Sequence, residues 1–337
     1  MVSEELFKKR YPNLLVRQKM MRACRAWFEG EGFVEVETPA LQISPGNEVH
    51  LQAFQTSFKD PHGGAAQKLY LHTSPEFAMK KLLAAGMERI VQIAQVFRNG
   101  ERSSLHHPAF TMIEWYRAHE NLDAIMNDCI NLVRALALVC HIKTLTAPNM
   151  TCDPFAPWEV LSVQDAFLRY ADIDLLATAT DPELLRRAMK HLDLRTAEDD
   201  RWEDLFFRIM GAKIEPVLGK DRPTFLCDYP ISMAALARVN ENDPRLARRF
   251  ELYMAGVEIA NAFDELTDPV EQQKRFEADM DLKEQLYGER FPIDPDFINA
   301  LAALPPCAGI ALGLDRLVML FVGASHIEDV LWLPVAP

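Results

Sequence analysis

Residues 90–116 read IVQIAQVFRNGERSSLHHPAFTMIEWY, and this stretch decides the fold. Apolar side chains recur from Ile90 to Arg98 and again from Phe110 to Tyr116, which predicts two strands. The polar segment from Asn99 to Pro108 separates them and predicts a loop. We therefore expect an antiparallel hairpin with a long connection.

The second strand of this hairpin has two chemically different faces, because strand side chains alternate. One face suits a packed core and carries Thr111, Ile113 and Trp115. The other sets a carboxylate and a phenol beside an aromatic ring, at Phe110, Met112, Glu114 and Tyr116. This second face is either a solvent-facing sheet surface or a binding face.

Basic side chains stand around the connection of the hairpin. Arg98 ends the first strand, and His106 and His107 lie in the loop that would fold back over it. An arginine and two imidazoles could together surround a polyphosphate. Taken singly, each is more simply a surface charge or an exposed loop residue.

The segments before and after the hairpin complete the fold prediction. A helix ends at residues 30–32, a strand follows at 33–37, and a strand at 69–72 runs into Ser74-Pro75-Glu76, which suits the start of a helix. The pattern is mainly helical around 120–215, and strands return at 250–254, 257–261 and 309–313. This order predicts an α+β fold with an antiparallel sheet flanked by helices and a helical insertion around 120–215.

Three carboxylates and an amide lie within fifteen positions, at Glu251, Glu258, Asn261 and Glu265. Carboxylate oxygens suit Mg²⁺ near a phosphate, and a partly enclosed carboxylate also pairs well with an ammonium group. The apolar neighbours at positions 257, 259 and 263 favour this interpretation over an ordinary acidic surface.

A strand of very small residues, Gly309 to Gly313, meets a helix whose first turn carries Arg316. Small residues in a strand let a ligand approach the backbone closely. A cation in the first turn of a helix is mildly disfavoured by the helix dipole. A bound anion would compensate for this cost; otherwise Arg316 is a surface residue.

Composition narrows the class of protein. Of 337 residues, 49% are hydrophobic and 25% charged, the balance of an ordinary soluble enzyme. A net charge of −13 argues against a nucleic-acid partner and favours a basic one. Six cysteines form no Cys-x-x-Cys pair, so no zinc site is expected. We find no signal-like or bilayer-spanning segment and expect a cytoplasmic protein away from the membrane.

The order and spacing of these segments resemble those of class II aminoacyl-tRNA synthetases. Residues 32–39, GFVEVETP, are similar to motif 1, residues 97–99 with 106–116 to motif 2, and residues 309–316 to motif 3. Residues 258–266, EIANAFDEL, resemble the lysine-pocket signature of lysyl-tRNA synthetases. The chain is similar over nearly its whole length to the short lysyl-tRNA synthetase paralogues that ligate (R)-β-lysine to elongation factor P. This resemblance implies one catalytic domain over residues 1–337.

The resemblance implies a role for each matching residue. Catalysis would rest on Arg98, Glu258 and Arg316, and Mg²⁺ on Glu251 and Glu258. ATP would contact Arg98, Asn99, Gly100, His106, His107, Phe110, Glu258, Ile259, Gly313 and Arg316. The amino acid would contact Ser74, Pro75, Glu76, Glu114, Tyr116, Asn261, Glu265 and Ala311.

The chain departs from the family pattern at five positions. Gly100, which Glu101 follows, and Ala109 stand where the family usually has Glu. His107 stands where it has Asn, and Ala262 where it has Gly. Ala311 replaces the Gly of lysyl-tRNA synthetases, and the extra methyl group would disfavour α-lysine.

The resemblance implies that a lysine-type amino acid, with (R)-β-lysine favoured, is activated by ATP as an adenylate and transferred to a lysine side chain of elongation factor P. Only about thirty residues precede motif 1 and twenty-one follow Arg316, so we expect no anticodon-binding domain and no tRNA partner. Motif 1 usually builds a two-fold interface, so we expect a homodimer.

Two alternatives stay open. A truncated lysyl-tRNA synthetase-like enzyme would act on tRNA or on a small acceptor. A non-catalytic regulatory paralogue would only bind a partner, and it predicts loss of Arg98, Glu258 or Arg316, all of which are present.

Overall fold

The computed structural model describes residues 4–178 and 180–335. Its strands are β1 Val34–Glu35, β2 Leu41–Gln42, β3 Gln55–Phe58, β4 Gln67–Leu71, β5 Arg89–Phe97, β6 Ala109–Ala118, β7 Leu145–Ala147, β8 Met150–Cys152, β9 Glu159–Ser162, β10 Thr224–Pro230, β11 Leu246–Met254, β12 Val257–Asp264 and β13 Cys307–Gly313.

The helices are α1 Glu4–Gly30, α2 Glu76–Ala84, α3 Leu122–Cys140, α4 Val163–Ala171, α5 Pro182–Ala188, α6 Trp202–Ile209, α7 Pro269–Tyr287, α8 Pro295–Leu301 and α9 Leu314–Val322. Several begin where a side chain accepts a hydrogen bond from a first-turn N–H: Asn121, Ser162, Asp181, Asp268 and Asp294. Short 3₁₀ turns lie at 176–178, 189–192, 215–217, 231–233 and 327–330, and a π-helical turn at 210–214.

Eight strands form the main sheet, in the order β1-β5-β6-β13-β12-β11-β10-β9. The pairings from β5 to β10 are antiparallel, and β1 and β9 add parallel pairings at the two edges. The predicted α+β fold with an antiparallel sheet flanked by helices is therefore confirmed, with a parallel strand at each edge. Smaller sheets are formed by β2-β4-β3 and β7-β8.

One face of the main sheet lies in the largest hydrophobic core. Ile113 and Trp115 of β6 pack there with side chains of α1, α3 and α9. Helix α1 joins this core because its buried residues recur every three or four positions, at Leu14, Arg17, Met20, Cys24 and Phe28. The apolar side of the predicted hairpin is thus the core side.

A buried ion pair fixes α1 to the sheet. The guanidinium of Arg17 pairs with the Asp315 carboxylate and donates to Thr111 Oγ1 at 2.8 Å. The other oxygen of Asp315 accepts from the Thr111 backbone N–H at 2.7 Å. Side chains from α1, β6 and α9 therefore meet at Asp315, the residue that precedes Arg316.

The opposite face of the sheet, called here the polar face, is covered at one end by α2, α7 and α8. Phe77 of α2, Phe276 of α7 and Phe297 of α8 pack with Ile90 and Tyr116 of the sheet. The stacked rings of Phe77 and Phe297 lie 4.1 Å apart. This cover encloses one end of the polar face.

The sequence prediction was incomplete in two regions. Strand β10 and helix α7 were not predicted, and the expected strand at 33–37 is only the two residues of β1, because it pairs on one side at the sheet edge. The region around 120–215 contains α3 to α6 and also β7 to β9. The assignment of one catalytic domain with an insertion there stays a prediction.

Within the described parts of the chain, no helix has the length and apolar character needed to cross a bilayer.

Candidate active site

Residues in direct register across five strands form one polar row. Gln92 of β5 pairs with Glu114 of β6, Glu114 with Ala311 of β13, Ala311 with Asn261 of β12, and Asn261 with Glu251 of β11. Directly opposite residues project to the same face of a sheet. The hairpin and the acidic segment, far apart in sequence, therefore meet on the polar face.

Glu114 lies at the enclosed end of this row and is 1% exposed. Its two oxygens accept from Ser74 Oγ at 2.5 Å and from Tyr116 OH at 2.6 Å. Burial, reinforced by the nearby carboxylate of Glu76, raises the pKa of Glu114 to about 8. Burial likewise raises the pKa of Tyr116, so its hydroxyl stays a donor.

Ser74 has a second role at the start of α2. Its Oγ accepts from the N–H of Glu76 at 3.1 Å while it donates to Glu114. Pro75 follows as the residue before the helix, and its carbonyl accepts from Met79 N–H. The predicted Ser-Pro-Glu segment thus holds the helix start against strand β6.

Gly309 is required by the ring of Tyr116. The two residues are paired on neighbouring strands, and a Cβ at Gly309 would lie 2.2 Å from Tyr116 Cε1 and 2.8 Å from Glu265 Oε1. Real carbon atoms do not approach so closely, so only glycine fits. The small-residue strand makes room here for a side chain of the protein itself.

Glu265 is the second buried carboxylate at this end, and it is already paired. Lys80 Nζ lies 2.6 Å from Glu265 Oε2 and 2.5 Å from Glu76 Oε1. Burial raises the pKa of Glu265 to about 8, and Lys80 acts in the opposite direction. Together the enclosed side chains form the acidic pocket: Ser74, Glu76, Lys80, Glu114, Tyr116 and Glu265.

Arg249 organises the middle of the polar face. Its guanidinium donates to Asn261 Oδ1 at 3.1 Å, to Glu251 Oε1 at 2.5 Å and to the Met233 carbonyl at 2.7 Å. Tyr253 OH donates to the other oxygen of Glu251 at 2.8 Å. Asn261 and Glu251 are therefore fixed by a residue that the sequence analysis did not select.

Glu215 is a further carboxyl that the sequence analysis missed. It lies in the 3₁₀ turn at 215–217, and its pKa is raised to about 7 by burial and by the negative charges of Glu251 and Glu258. Three acidic groups thus influence one another at this place. A divalent cation would relieve their mutual repulsion, and carboxylate oxygens are the donors that Mg²⁺ prefers.

No cluster of three or more His, Cys, Asp or Glu side chains is arranged as a complete metal site in the described part of the chain. Mg²⁺ does not require such a cluster, because it is commonly held by one or two carboxylates together with substrate phosphates. Glu251 and Glu258 stay the predicted ligands, and a bound ion would have to replace a hydrogen bond that Glu251 accepts from Arg249 or Tyr253.

The other end of the polar face, called here the arginine end, contains Arg98, His106, Phe110, Glu258 and Arg316. Arg316 donates to Glu258 Oε2 at 3.2 Å and to His106 Nε2 at 2.6 Å. His106 Nδ1 lies 2.8 Å from Ser103 Oγ, which assigns the ring proton to Nδ1. Burial and the Arg316 charge lower the pKa of His106, so the imidazole stays neutral near pH 7.

Arg98 lies just beyond strand β5. Its guanidinium carbon is 5.3 Å from the centroid of the Phe110 ring, and Nη1 is 3.9 Å from Glu101 Oε1. The buried Nε has no hydrogen-bond partner within residues 4–178 and 180–335. A donor left without a partner beside an aromatic ring suits an anionic ligand at this place.

His107 is buried and bonded to the backbone. The ring is 2% exposed, Nδ1 lies 2.6 Å from the Ala109 carbonyl, and Nε2 accepts from Val335 N–H at 3.1 Å. Both ring nitrogens are thus engaged by backbone. These contacts hold the loop, and the predicted contact of His107 with the nucleotide stays a prediction.

The remaining residues that were predicted to contact a ligand could offer it mainly backbone atoms or open space beside the backbone. Asn99 N–H donates to the Gln52 carbonyl at 2.8 Å, and Gly100 has a φ of +79° that favours glycine. The side chain of Ile259 is in the core, so only its backbone could meet a ligand. Gly313 precedes α9 and is close to Arg316, and Ala311 packs beside Phe110 and Met112.

Two missed residues carried a sequence signal. Lys80 follows Glu76 by four positions in a predicted helix, a spacing that favours an ion pair. Arg249 alternates with Glu251 and Tyr253 along one strand face. Nothing local indicated that Lys80 also meets Glu265.

Comparison with known proteins places this site in a family. The family model described as class II tRNA synthetases (D, K and N) matches residues 6–337. The chain belongs to the class II tRNA synthetase family. The motif 1, 2 and 3 resemblances quoted above lie within the matched range.

Individual members of the family are similar over almost the whole chain. The protein named elongation factor P–(R)-β-lysine ligase from Hamiltonella defensa is 40% identical over 326 residues, covering 96% of this chain and 95% of that protein. The protein of the same name from Salmonella typhi is 42% identical over 324 residues, covering 95% and 94%. The one from Salmonella paratyphi B is 41% identical over the same length.

Proposed function

We propose that the protein uses ATP to activate a lysine-type amino acid and transfers it to a lysine side chain of elongation factor P. The observation that carries this proposal is the acidic pocket opposite the arginine end on one sheet face. A cationic side chain would enter the first, and a nucleotide the second. The acceptor is inferred from the names of the similar ligases, which include elongation factor P.

The first step needs positioning and charge neutralisation. A substrate carboxylate oxygen forms a bond to the α-phosphorus of ATP, and the bond to pyrophosphate breaks. Arg98 offsets the charge that builds at phosphorus, and no base is needed because the carboxylate is ionised at pH 7. Mg²⁺ on Glu251 and Glu258 would supply further neutralisation of the phosphates.

In the second step, the acceptor amine forms a bond to the carbonyl carbon of the adenylate. The bond between that carbon and the AMP oxygen breaks, and the amine loses a proton. His106 and Arg316 hold the nucleotide end in place during both steps. The neutral imidazole can donate its ring N–H to a phosphate oxygen without adding charge.

The pocket supports a lysine-type substrate for a physical reason. An amino acid without a cationic side chain would leave buried carboxylates unpaired, which costs several kcal/mol, on the order of 3–5. We propose (R)-β-lysine in particular, because Ala311 is the direct sheet neighbour of Glu114 and adds a methyl group beside the pocket.

Three further expectations belong to the same proposal. The protein acts in the cytoplasm, it forms a homodimer through the motif 1 region, and ATP is used with Mg²⁺. The motif 1 region supports the second, because α1 and β1 expose Tyr11, Leu15 and Val34.

Two assays test the proposed function. Amino-acid-dependent exchange of pyrophosphate into ATP should be strongest with β-lysine, weaker with α-lysine and absent with neutral amino acids. Labelled β-lysine should then appear on elongation factor P and not on tRNA. Label on tRNA would support the truncated-synthetase alternative, and no exchange with any lysine analogue would support the non-catalytic one.

A further inference from the structure

Lys80 is a buried cation inside a pocket for cations. It is 1% exposed, and its ammonium lies within 2.6 Å of oxygens of both Glu76 and Glu265. Burial alone would lower the pKa of Lys80, but the two carboxylates outweigh it and raise the pKa. Lys80 therefore stays charged whether or not a substrate is present.

Glu114 differs from the two carboxylates that Lys80 bridges. Its oxygens receive only neutral donors, from Ser74 and Tyr116. Among the described residues, no Lys, Arg or His atom is within ion-pair distance of Glu114. The pocket thus contains three carboxylates and one resident ammonium, which leaves two negative charges when all the carboxyl groups are ionised.

These two net negative charges match the two positive charges on the ammonium groups of a diamino acid. Lysine and β-lysine each carry two ammonium groups and one carboxylate, and the carboxylate would lie at Arg98. We infer that Lys80 is a positioning and specificity residue that tunes the net charge of the acidic pocket to two ammonium groups. The inference rests on the proposed function and adds a reason why amino acids with one amine are rejected.

A purely structural role for Lys80 is less well supported by the contacts of α2. The helix is already held by Ser74, whose hydroxyl joins Glu114, and by Lys81, whose ammonium lies 2.5 Å from Asp294. Its apolar residues Phe77, Met79 and Leu83 are buried in a hydrophobic cluster. Methionine at position 80 would keep most of the length of the unbranched side chain and remove the ammonium group.

The test changes the pocket charge in steps. Glu265→Gln leaves one net negative charge, Lys80→Met leaves three, and the double variant Lys80→Met with Glu265→Gln returns to two. Lys81→Met is the matched control, because it removes a lysine of the same helix outside the pocket. Each protein is assayed by pyrophosphate exchange with lysine or β-lysine, and 6-aminohexanoate, which has one ammonium group, is the competing inhibitor.

The readout is the preference for the diamino acid over the monoamine, taken as the ratio of the inhibition constant of 6-aminohexanoate to the KM of the diamino acid. Wild type and Lys81→Met should prefer the diamino acid by about 100-fold or more. In Glu265→Gln this preference should fall by about tenfold or more. In the double variant it should return most of the way to the wild-type value. A double variant with a preference at or below that of Glu265→Gln overturns the inference.

Calorimetry on the wild type covers the case in which the double variant does not fold. Binding of lysine should release about one proton more than binding of 6-aminohexanoate, because the second ammonium displaces one more proton from the carboxyl groups. Equal release for the two ligands overturns the charge match. A wild type without lysine-dependent exchange contradicts the proposed function instead, so the two failures are distinguishable.

Discussion

The acidic pocket and the arginine end lie on the same sheet face, yet they are built differently. In the pocket, Glu114 and Glu265 are almost fully buried and already bonded to Ser74, Tyr116 and Lys80. At the arginine end, the side chains keep partial exposure: 25% for Arg98, 20% for Arg316 and 42% for Glu258.

This difference matches what each ligand requires. A small amino acid can be selected by an enclosed set of charges that are fixed before it binds, because buried charges discriminate strongly. A nucleotide must enter, lose pyrophosphate and leave, so its partners need access to solvent. The long Arg98–Glu101 contact of 3.9 Å and the Arg316–His106 contact are internal bonds that phosphates can replace.

Removing Arg98 should disable the arginine end most completely. Arg98→Ala should lower the rate of adenylate formation by about 10²–10³-fold, because the charge at phosphorus loses its cation. Binding of lysine measured by calorimetry should weaken by a smaller factor, because lysine loses its carboxylate contact with Arg98 but keeps its ammonium contacts in the acidic pocket. Arg102→Ala, an exposed arginine of the same loop that donates to the Val335 carbonyl, is the control. Normal exchange rates in Arg98→Ala would refute the role.

Neutralising Glu114 should damage only the acidic pocket. Glu114→Gln keeps an acceptor oxygen for one of the two hydroxyls of Ser74 and Tyr116, sets an NH2 group against the other and removes the charge. KM for the lysine-type substrate should therefore rise by about 100-fold. KM for ATP should change by less than about threefold, since the nucleotide lies at the other end. Glu35→Gln on the exposed edge strand is the control. An equal rise of both KM values would contradict the division between the two ends.

Filling the space at Gly309 should distort the pocket without changing any charge. Gly309→Ala should destabilise the fold by about 1–3 kcal/mol and raise KM for lysine, because the Tyr116 ring must shift. Denaturant unfolding and kinetics measure the two effects. For stability, Gly313→Ala is the comparison, since its Cβ would meet its nearest neighbour at 3.8 Å. Similar stability for both variants would show that the ring adapts freely.

A change of pH is the mildest of these tests, and it should alter the affinity for lysine at the acidic pocket more than the affinity for ATP at the arginine end. In the free protein Glu114 has a pKa raised to about 8, and a bound ammonium group lowers it, so binding releases a proton. Because burial also raises the pKa of Glu265 to about 8, affinity for lysine should fall at least tenfold per unit as pH drops below about 8 and level off above it. Affinity for ATP should be nearly flat from pH 7 to 9, because the lowered pKa of His106 keeps it neutral. A flat lysine profile would argue against a protonated Glu114.

Most of the polar face could be predicted from sequence because alternation and family spacing agree there. Glu114 and Tyr116 follow strand periodicity, Asn261 and Glu265 follow the family signature, and the structure places all four on the polar face. Strand β10 was missed because six of its seven residues are buried, so it shows no alternation. Lys80 was missed because a lysine in a short helix is typical of a solvated surface, and only tertiary packing brings Glu265 to it.

The ion pair behind the sheet gives the first thirty residues an unexpected importance. Asp315 precedes Arg316 and depends on Arg17 of α1 for its counter-charge. A shortened protein lacking α1 would leave this carboxylate buried without compensation, at a cost of about 3–5 kcal/mol. Removing α1 would therefore also destabilise the start of the helix that positions Arg316, the arginine proposed to bind the nucleotide.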